Sequence, residues 1–182
     1  METDIEILMG RLEPRLQALH NITHHGHDMY LGLPTSHTVE YDTSTQAQIT
    51  YQHILAEARH QLDDLADVRF LDIKNLKVWL LEKENIVIRF KKTDGQGLSR
   101  NYPTGQARDY EAGREIPGLP QAPTRLTVGY MLDDTGLEIE RTQISLPNGR
   151  KTMWCAAIIG TLGEEDEMTY GWEDVTKQAQ LY

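Results

Sequence analysis

The chain has 182 residues, 39% of them hydrophobic and 25% charged, which suits one compact domain with its own core and excludes both wholesale disorder and two ordinary domains. Its longest apolar runs, such as Ile86-Val87-Ile88 and Ala156-Ala157-Ile158-Ile159, fall well short of the about 20 residues a membrane-spanning helix needs. A formal net charge of -10 opposes non-specific binding to DNA and to anionic membranes, whose fields repel the molecule as a whole.

Glu2, Asp4 and Glu6 do not have the basic-then-apolar form of a secretory signal. The single Cys155 has no internal disulfide partner, in keeping with a reducing compartment, and a cytoplasmic location is expected. From the N-terminus, Ile5, Leu8, Leu12, Leu16 and Leu19 recur at spacings of three and four, which predicts an amphipathic helix that Pro14 kinks or divides. Residues 20–44 hold Gly26, Gly32, Pro34 and many polar groups without a period, and read as a long loop. The clearest helix follows over residues 44–66. Thr43 and Gln46 have the spacing of a capping box, and Tyr51, Leu55, Ala58, Leu62 and Leu65 share one face. Between 70 and 83 the pattern fits strand and helix alike, with a helix ending near Lys83 preferred. Residues 86–90 read as a strand because β-branched residues dominate them.

Residues 93–123 carry too many glycines and prolines for one regular element, so a long loop with a functional or partly disordered character is expected. Residues 126–132 then alternate, Asp133-Asp134-Thr135-Gly136 turns, and a second strand spans 137–146. Asn148-Gly149 supplies a tight turn into a third strand over 151–159. In the middle strand the apolar phase shifts, which calls for a bulge or strong twist near Arg141. The predicted class is α+β: N-terminal helices packed on a mainly antiparallel sheet of about four strands, with a C-terminal three-stranded meander. Residues 1–162 form the single domain. Residues 163–182 form an acidic tail, with Glu164, Glu165, Asp166, Glu167, Glu173 and Asp174 against Lys177.

Five of the seven histidines, His20, His24, His25, His27 and His37, crowd one stretch. Imidazole ligates zinc, nickel and copper, yet neither a helical histidine pair with its adjacent glutamate nor paired cysteines accompany them. They read as a polar loop, with no metal ligand assigned and the cofactor left unknown. Arg89, Lys91, Lys92, Arg100 and Arg108 form a basic segment in an otherwise acidic chain, and guanidinium forks suit phosphate. Arg89, Lys91, Lys92 and Arg100 are therefore candidate substrate-binding residues, with Asn101, Thr104 and Gln106 adding hydrogen bonds to a nucleotide or ribose. On the predicted long helix Tyr51 and His53 are the candidates for proton transfer, although two residues apart they point in different directions. Asp72 and Lys74 give the acidic-x-Lys spacing of one nuclease fold, but no partner acid falls on a neighbouring strand. Trp154 and Tyr130 are placed to stack a base or, more simply, to pair across strands. No phosphate-cradling Gly-Lys-Ser/Thr loop, nucleophile elbow or dinucleotide fingerprint occurs.

The string Ile88-Arg89-Phe90-Lys91-Lys92, Ser99-Arg100-Asn101-Tyr102-Pro103-Thr104-Gly105-Gln106, Leu119-Pro120, Arg125-Leu126-Thr127-Val128-Gly129-Tyr130 and Pro147-Asn148-Gly149 resembles a family of small bacterial proteins. Their genes lie beside those for proteins joining a helix-turn-helix to an ImmA/IrrE-like zinc peptidase domain. The resemblance covers about residues 45–159 and implies the toxin half of a Rosmer-type toxin–antitoxin pair used against phage. A cognate antitoxin with those two domains is then the expected partner, and a nucleotide or RNA the expected substrate. The alternative is a non-catalytic regulator or adaptor that binds the same helix-turn-helix/peptidase-like protein. The isolated basic segment favours the toxin; the lack of a recognised catalytic motif favours the adaptor.

Overall fold

The first helix, α1 (Ile5–Leu12), starts where Asp4 accepts a hydrogen bond from the Ile7 amide at 3.0 Å, and it buries Leu8, Met9 and Leu12. Proline can open a helical turn because its missing N–H would have no partner there, and Pro14 does so in a 3₁₀ turn at Glu13–Arg15 that leads into α2 (Leu16–Leu31). The computed structural model describes residues 2–99, 104–163 and 166–179. Much of the expected 20–44 loop is therefore helix: α2 buries Leu16, Leu19, Ile22, Thr23, Gly26 and His27. The polar histidines hide this period. After a short α3 (Thr35–Thr38), α4 (Thr43–Leu62) occupies the expected place, but its cap is Asp42, which accepts from the Thr45 amide at 2.7 Å. The Gln46 side chain, expected in the capping box, instead donates from Nε2 to the Tyr41 carbonyl at 3.2 Å.

Seven strands follow: β1 (Val68–Ile73), β2 (Leu76–Leu81), β3 (Ile86–Lys92), β4 (Thr124–Leu132), β5 (Ile139–Asn148), β6 (Lys151–Leu162) and β7 (Met168–Asp174). They form one sheet in chain order from β1 to β7. The α+β class holds, with the helices first, but the sheet has seven strands where about four were expected. It is also mixed, because β3 and β4 run parallel while the other neighbours are antiparallel.

The helix preferred near Lys83 is the hairpin β1–β2. Lys74 and Asn75, with φ of 49° and 70°, make the left-handed two-residue turn that matches sheet twist. β2 is buried on both faces, with Val78 and Leu80 on one and Trp79 and Leu81 on the other, so its run of apolar residues imitates a helix. Lys74 lies in the turn and Asp72 on the strand, which separates the two members of the acidic-x-Lys motif. The expected antiparallel run of β4, β5 and β6 is present, but β7 extends it from three strands to four, and its register slips between Met131 and Leu132, opposite Arg141 and Ile139. Part of the acidic segment is sheet: β7 pairs along β6, and beyond it Val175 is buried and α6 (Thr176–Ala179) begins.

One face of the sheet packs against α1, α2 and α4, with Trp79, Ile88, Phe90, Leu126, Val128 and Ile144 among its buried residues. The opposite face lies under the crossover that a parallel pair requires. That crossover contains α5 (Gly105–Glu111), whose Tyr110 is fully buried with Val78, Leu80, Val87 and Ile116. Among the described residues no helix is long and apolar enough to cross a membrane.

Candidate functional site

The crossover face is polar along one row. The register aligns Arg89 of β3 with Thr127, Ser145 and Cys155 across β4, β5 and β6, and all four are buried. Buried polar groups need partners, and the chain after β3 supplies them. Gln143 Nε2 donates to Thr93 Oγ1 and to the Asp94 carbonyl at 2.9 and 2.8 Å, Ser145 Oγ to the Gly97 carbonyl at 2.7 Å, and Thr152 Oγ1 to the Gln96 carbonyl at 2.6 Å. Gly97 is required there: its φ is +74°, and a Cβ would stand 2.7 Å from that of Ser145. The first part of the expected loop is thus a strap bolted to the sheet. Cys155 lies beneath it and donates to Gln143 Oε1 at 3.2 Å; burial pushes its thiol up to about 12, where it stays protonated and unreactive.

Arg89 is 2% exposed, so it is an internal cation, paired within the fold. Its Nη2 donates to Glu111 Oε1 at 2.6 Å, its Nε to Thr127 Oγ1 at 3.1 Å, and its guanidinium sits 4.4 Å from the centre of the Tyr110 ring. Among the described residues its Nη1 has no hydrogen-bond partner. Tyr110 fixes α5 in turn, its hydroxyl lying 2.9 and 2.8 Å from the carbonyl oxygens of Val87 and Leu126.

Past Arg89 the sheet forks. β2 pairs with β3 only from Trp79 opposite Ile88 to Leu81 opposite Ile86, whereas β3 stays paired with β4 as far as Lys92. At the fork the Lys91 ammonium lies 4.8 Å from the centre of the Tyr51 ring. Burial, and then the Arg89 charge, push the Lys91 pKa down to about 8, opposed by Glu111. Tyr51 moves the other way: burial raises it, against the Arg89 charge. His53 is half-buried and lies about 200° around the same helix, away from Tyr51. Lys92 follows Lys91 at the end of β3 and is half-buried.

The remaining expected contacts serve structure. Thr104 Oγ1 accepts from the Ala107 amide at 3.2 Å as the cap of α5, and Gln106 Nε2 donates to the Ile73 carbonyl at 2.6 Å, tying α5 to the β1–β2 turn. Arg100 and Asn101 lie outside the described residues. The structure brings Arg89, Lys91 and Tyr51 together; it does not bring His53 to them.

Arg108 of the basic segment meets two arginines that sequence reading left out at a further opening. A groove of about 560 Å³ runs between α5, the strap and the β5–β6 turn, with Arg108, Arg114 and Arg150 on its walls beside Ser99 and Glu111. Arg114 pairs with Asp109 at 3.2 Å, whereas Glu111 is engaged by Arg89. Among the described residues no carboxylate pairs with Arg108 or Arg150, so the groove is positive within an acidic molecule. The one signal for Arg150 in the sequence is its place directly after Asn148-Gly149, which sets it at the tip of a hairpin. The groove's basic character cannot be assigned from sequence, because its arginines come from a helix, a loop and a hairpin far apart in the chain. The chain matches no family model, no curated protein and no solved structure.

The histidines sit on the helical face of the sheet. The His20 and His24 rings stack at 3.9 Å and His20 also meets Tyr170 at 4.9 Å, while His27 Nε2 lies 3.2 Å from the Leu137 carbonyl. Among the described residues no three His, Cys, Asp or Glu side chains gather to hold a metal. Burial, and then the charge of His20, hold His24 down to about 4 from the ordinary 6.5, with Asp28 opposing and His27 assisting; burial lowers His20 against its bond to Asn21. The folded state therefore keeps these rings neutral where the unfolded chain takes up protons. Stability is fully present above pH 6.5 and is lost as pH falls from there toward 4. Urea midpoints measured at pH 7 and pH 5 should differ in that direction, and His24→Gln should shrink the difference; an equal difference in the variant contradicts the assignment.

Proposed function

We propose that the chain is the toxin component of a bacterial type II toxin–antitoxin pair with a phage-defence role, and that it acts on a nucleotide or RNA whose phosphates occupy the arginine groove. The observation that carries this reading is the convergence of Arg108, Arg114 and Arg150 on one groove in a protein of net charge -10. A free positive groove in an acidic chain is an electrostatic funnel for a polyanion, and guanidinium groups hold phosphate oxygens in pairs. The resemblance of about residues 45–159 to the Rosmer-type toxins supports the biological setting. The partner is an antitoxin that joins a helix-turn-helix to a zinc-peptidase-like domain.

Induced expression in a bacterial host tests the proposal. Wild type should arrest growth, the genomic neighbour should relieve the arrest, and Arg108→Glu/Arg150→Glu should abolish it. Both arginines are exposed, so the double variant should keep the wild-type circular dichroism and urea midpoint. Arrest by a folded double variant overturns the groove assignment. Normal growth with well-expressed wild type overturns the toxin and leaves the regulator that binds the helix-turn-helix/peptidase-like protein.

A further inference from the structure

A second, smaller pocket of about 170 Å³ adjoins the groove and shares Glu111 and Ala112 with it. Its walls are apolar where Leu146, Pro147 and Met153 line it, and they include Arg125, which is 6% exposed. A buried guanidinium needs compensation. Among the described residues Arg125 has only partial compensation: its Nη1 donates to the Asp109 carbonyl at 3.0 Å, its guanidinium lies 5.8 Å from the Tyr110 ring centre, and no carboxylate pairs with it. Across the same pocket Glu111 gives Oε1 to Arg89, and among the described residues its Oε2 accepts no hydrogen bond.

A guanidinium and a carboxylate among the walls of one small, largely apolar pocket match the two edges of guanine. The O6 and N7 acceptors of guanine take an arginine bidentately, and its N1–H and N2–H groups donate to a carboxylate. Adenine turns an N6 amino donor toward the arginine in the same pose, so the slot selects against it. Pro147 and Met153 supply the apolar faces on which a base lies, and Asn148 stands at the rim. We infer that the pocket at Arg125 is a guanine subsite continuous with the arginine groove, so that the preferred ligand is a guanine nucleotide or a guanine-bearing end of RNA. This rests on the reading of the groove as a phosphate site.

Calorimetric titration of the full chain with guanosine triphosphate, adenosine triphosphate and inorganic tripolyphosphate separates the two readings. Guanosine triphosphate should bind about tenfold more tightly than either of the others. Arg125→Lys removes the fork, and Met153→Trp fills the slot from an exposed strand position without entering the core. Each should bring guanosine triphosphate to the affinity of tripolyphosphate and leave tripolyphosphate unchanged. Should Arg125→Lys fail to fold, Met153→Trp carries the test. Equal binding of all three ligands to wild type overturns the guanine subsite and leaves the groove standing. Binding of none overturns the groove and the subsite together.

Discussion

Arg89→Ala is expected to lower the unfolding free energy by about 3 kcal/mol, the lower part of the range for breaking a buried ion pair. The reason is what remains: Glu111, with a side chain 14% exposed, keeps a carboxylate that has lost the guanidinium it pairs with among the described residues, and water reaches it only in part. Thr127 Oγ1 loses the donor at 3.1 Å, and the Tyr110 ring loses the guanidinium above it. Urea denaturation at pH 7 measures the loss, and Arg89→Met, Glu111→Gln and Arg89→Met/Glu111→Gln form a cycle. The double variant should recover a large share of the stability, because replacing both members avoids a stranded charge. A single-variant loss below about 1 kcal/mol would show that the pair behaves as an exposed one. Any functional effect of Arg89→Ala therefore reports on folding as much as on ligand binding, and Arg108 and Arg150 are the cleaner probes of the groove.

Gly26→Ala is expected to destabilise by about 2 kcal/mol, within the range for overpacking a core, although alanine is the better helix former by about 1 kcal/mol. The sign is decided by tertiary contact. A Cβ on Gly26 would stand 2.4 Å from Ile54 Cγ1 and 2.7 Å from the Ile54 backbone nitrogen, and a backbone atom cannot swing aside as a side-chain end can. The α2–α4 hairpin would have to open, and both helices pack on the core through Ile22, Ile54 and Ala58. Gly10 in α1 is the control: nothing lies within 4 Å of its added Cβ, so Gly10→Ala should be neutral or slightly stabilising. Thermal or urea unfolding of the two variants should give opposite signs, or a clear gap; equal effects would mean that α2 and α4 do not touch at Gly26.

Gly26 also illustrates where sequence reading stops. In the sequence it marks a break, and with four polar histidines around it the stretch reads as a loop. In the fold it is the contact point of two helices, and the histidines lie along a helix whose apolar positions are too few to reveal the period. Arg89 illustrates the same limit in the site. Its neighbours Ile88 and Phe90 announce a strand, and its charge suggests a surface, but the crossover laid over that face buries it against Glu111 and Tyr110. Lys91 and Tyr51 were both legible as candidates by residue type, yet only the fork between β2 and β3 makes them neighbours.

Elements with local signals were legible in the chain: the N-terminal helix interrupted at Pro14, the long helix containing Tyr51, the strand through Ile88, and the run of β4, β5 and β6 with its slip near Arg141; the expected Asn148-Gly149 turn lies one residue on, at Gly149-Arg150, because Asn148 pairs with Lys151. Each is written in the spacing of apolar residues or in turn residues a few positions apart. The hairpin β1–β2, the parallel pairing of β3 with β4, the burial of Arg89 and the meeting of Arg108, Arg114 and Arg150 around one groove emerge only on folding. Strand pairing joins residues remote in the chain, and a strand buried on both faces loses the alternation that would identify it. Whether an arginine becomes an internal ion pair or an anion hook depends on what the rest of the chain lays over it.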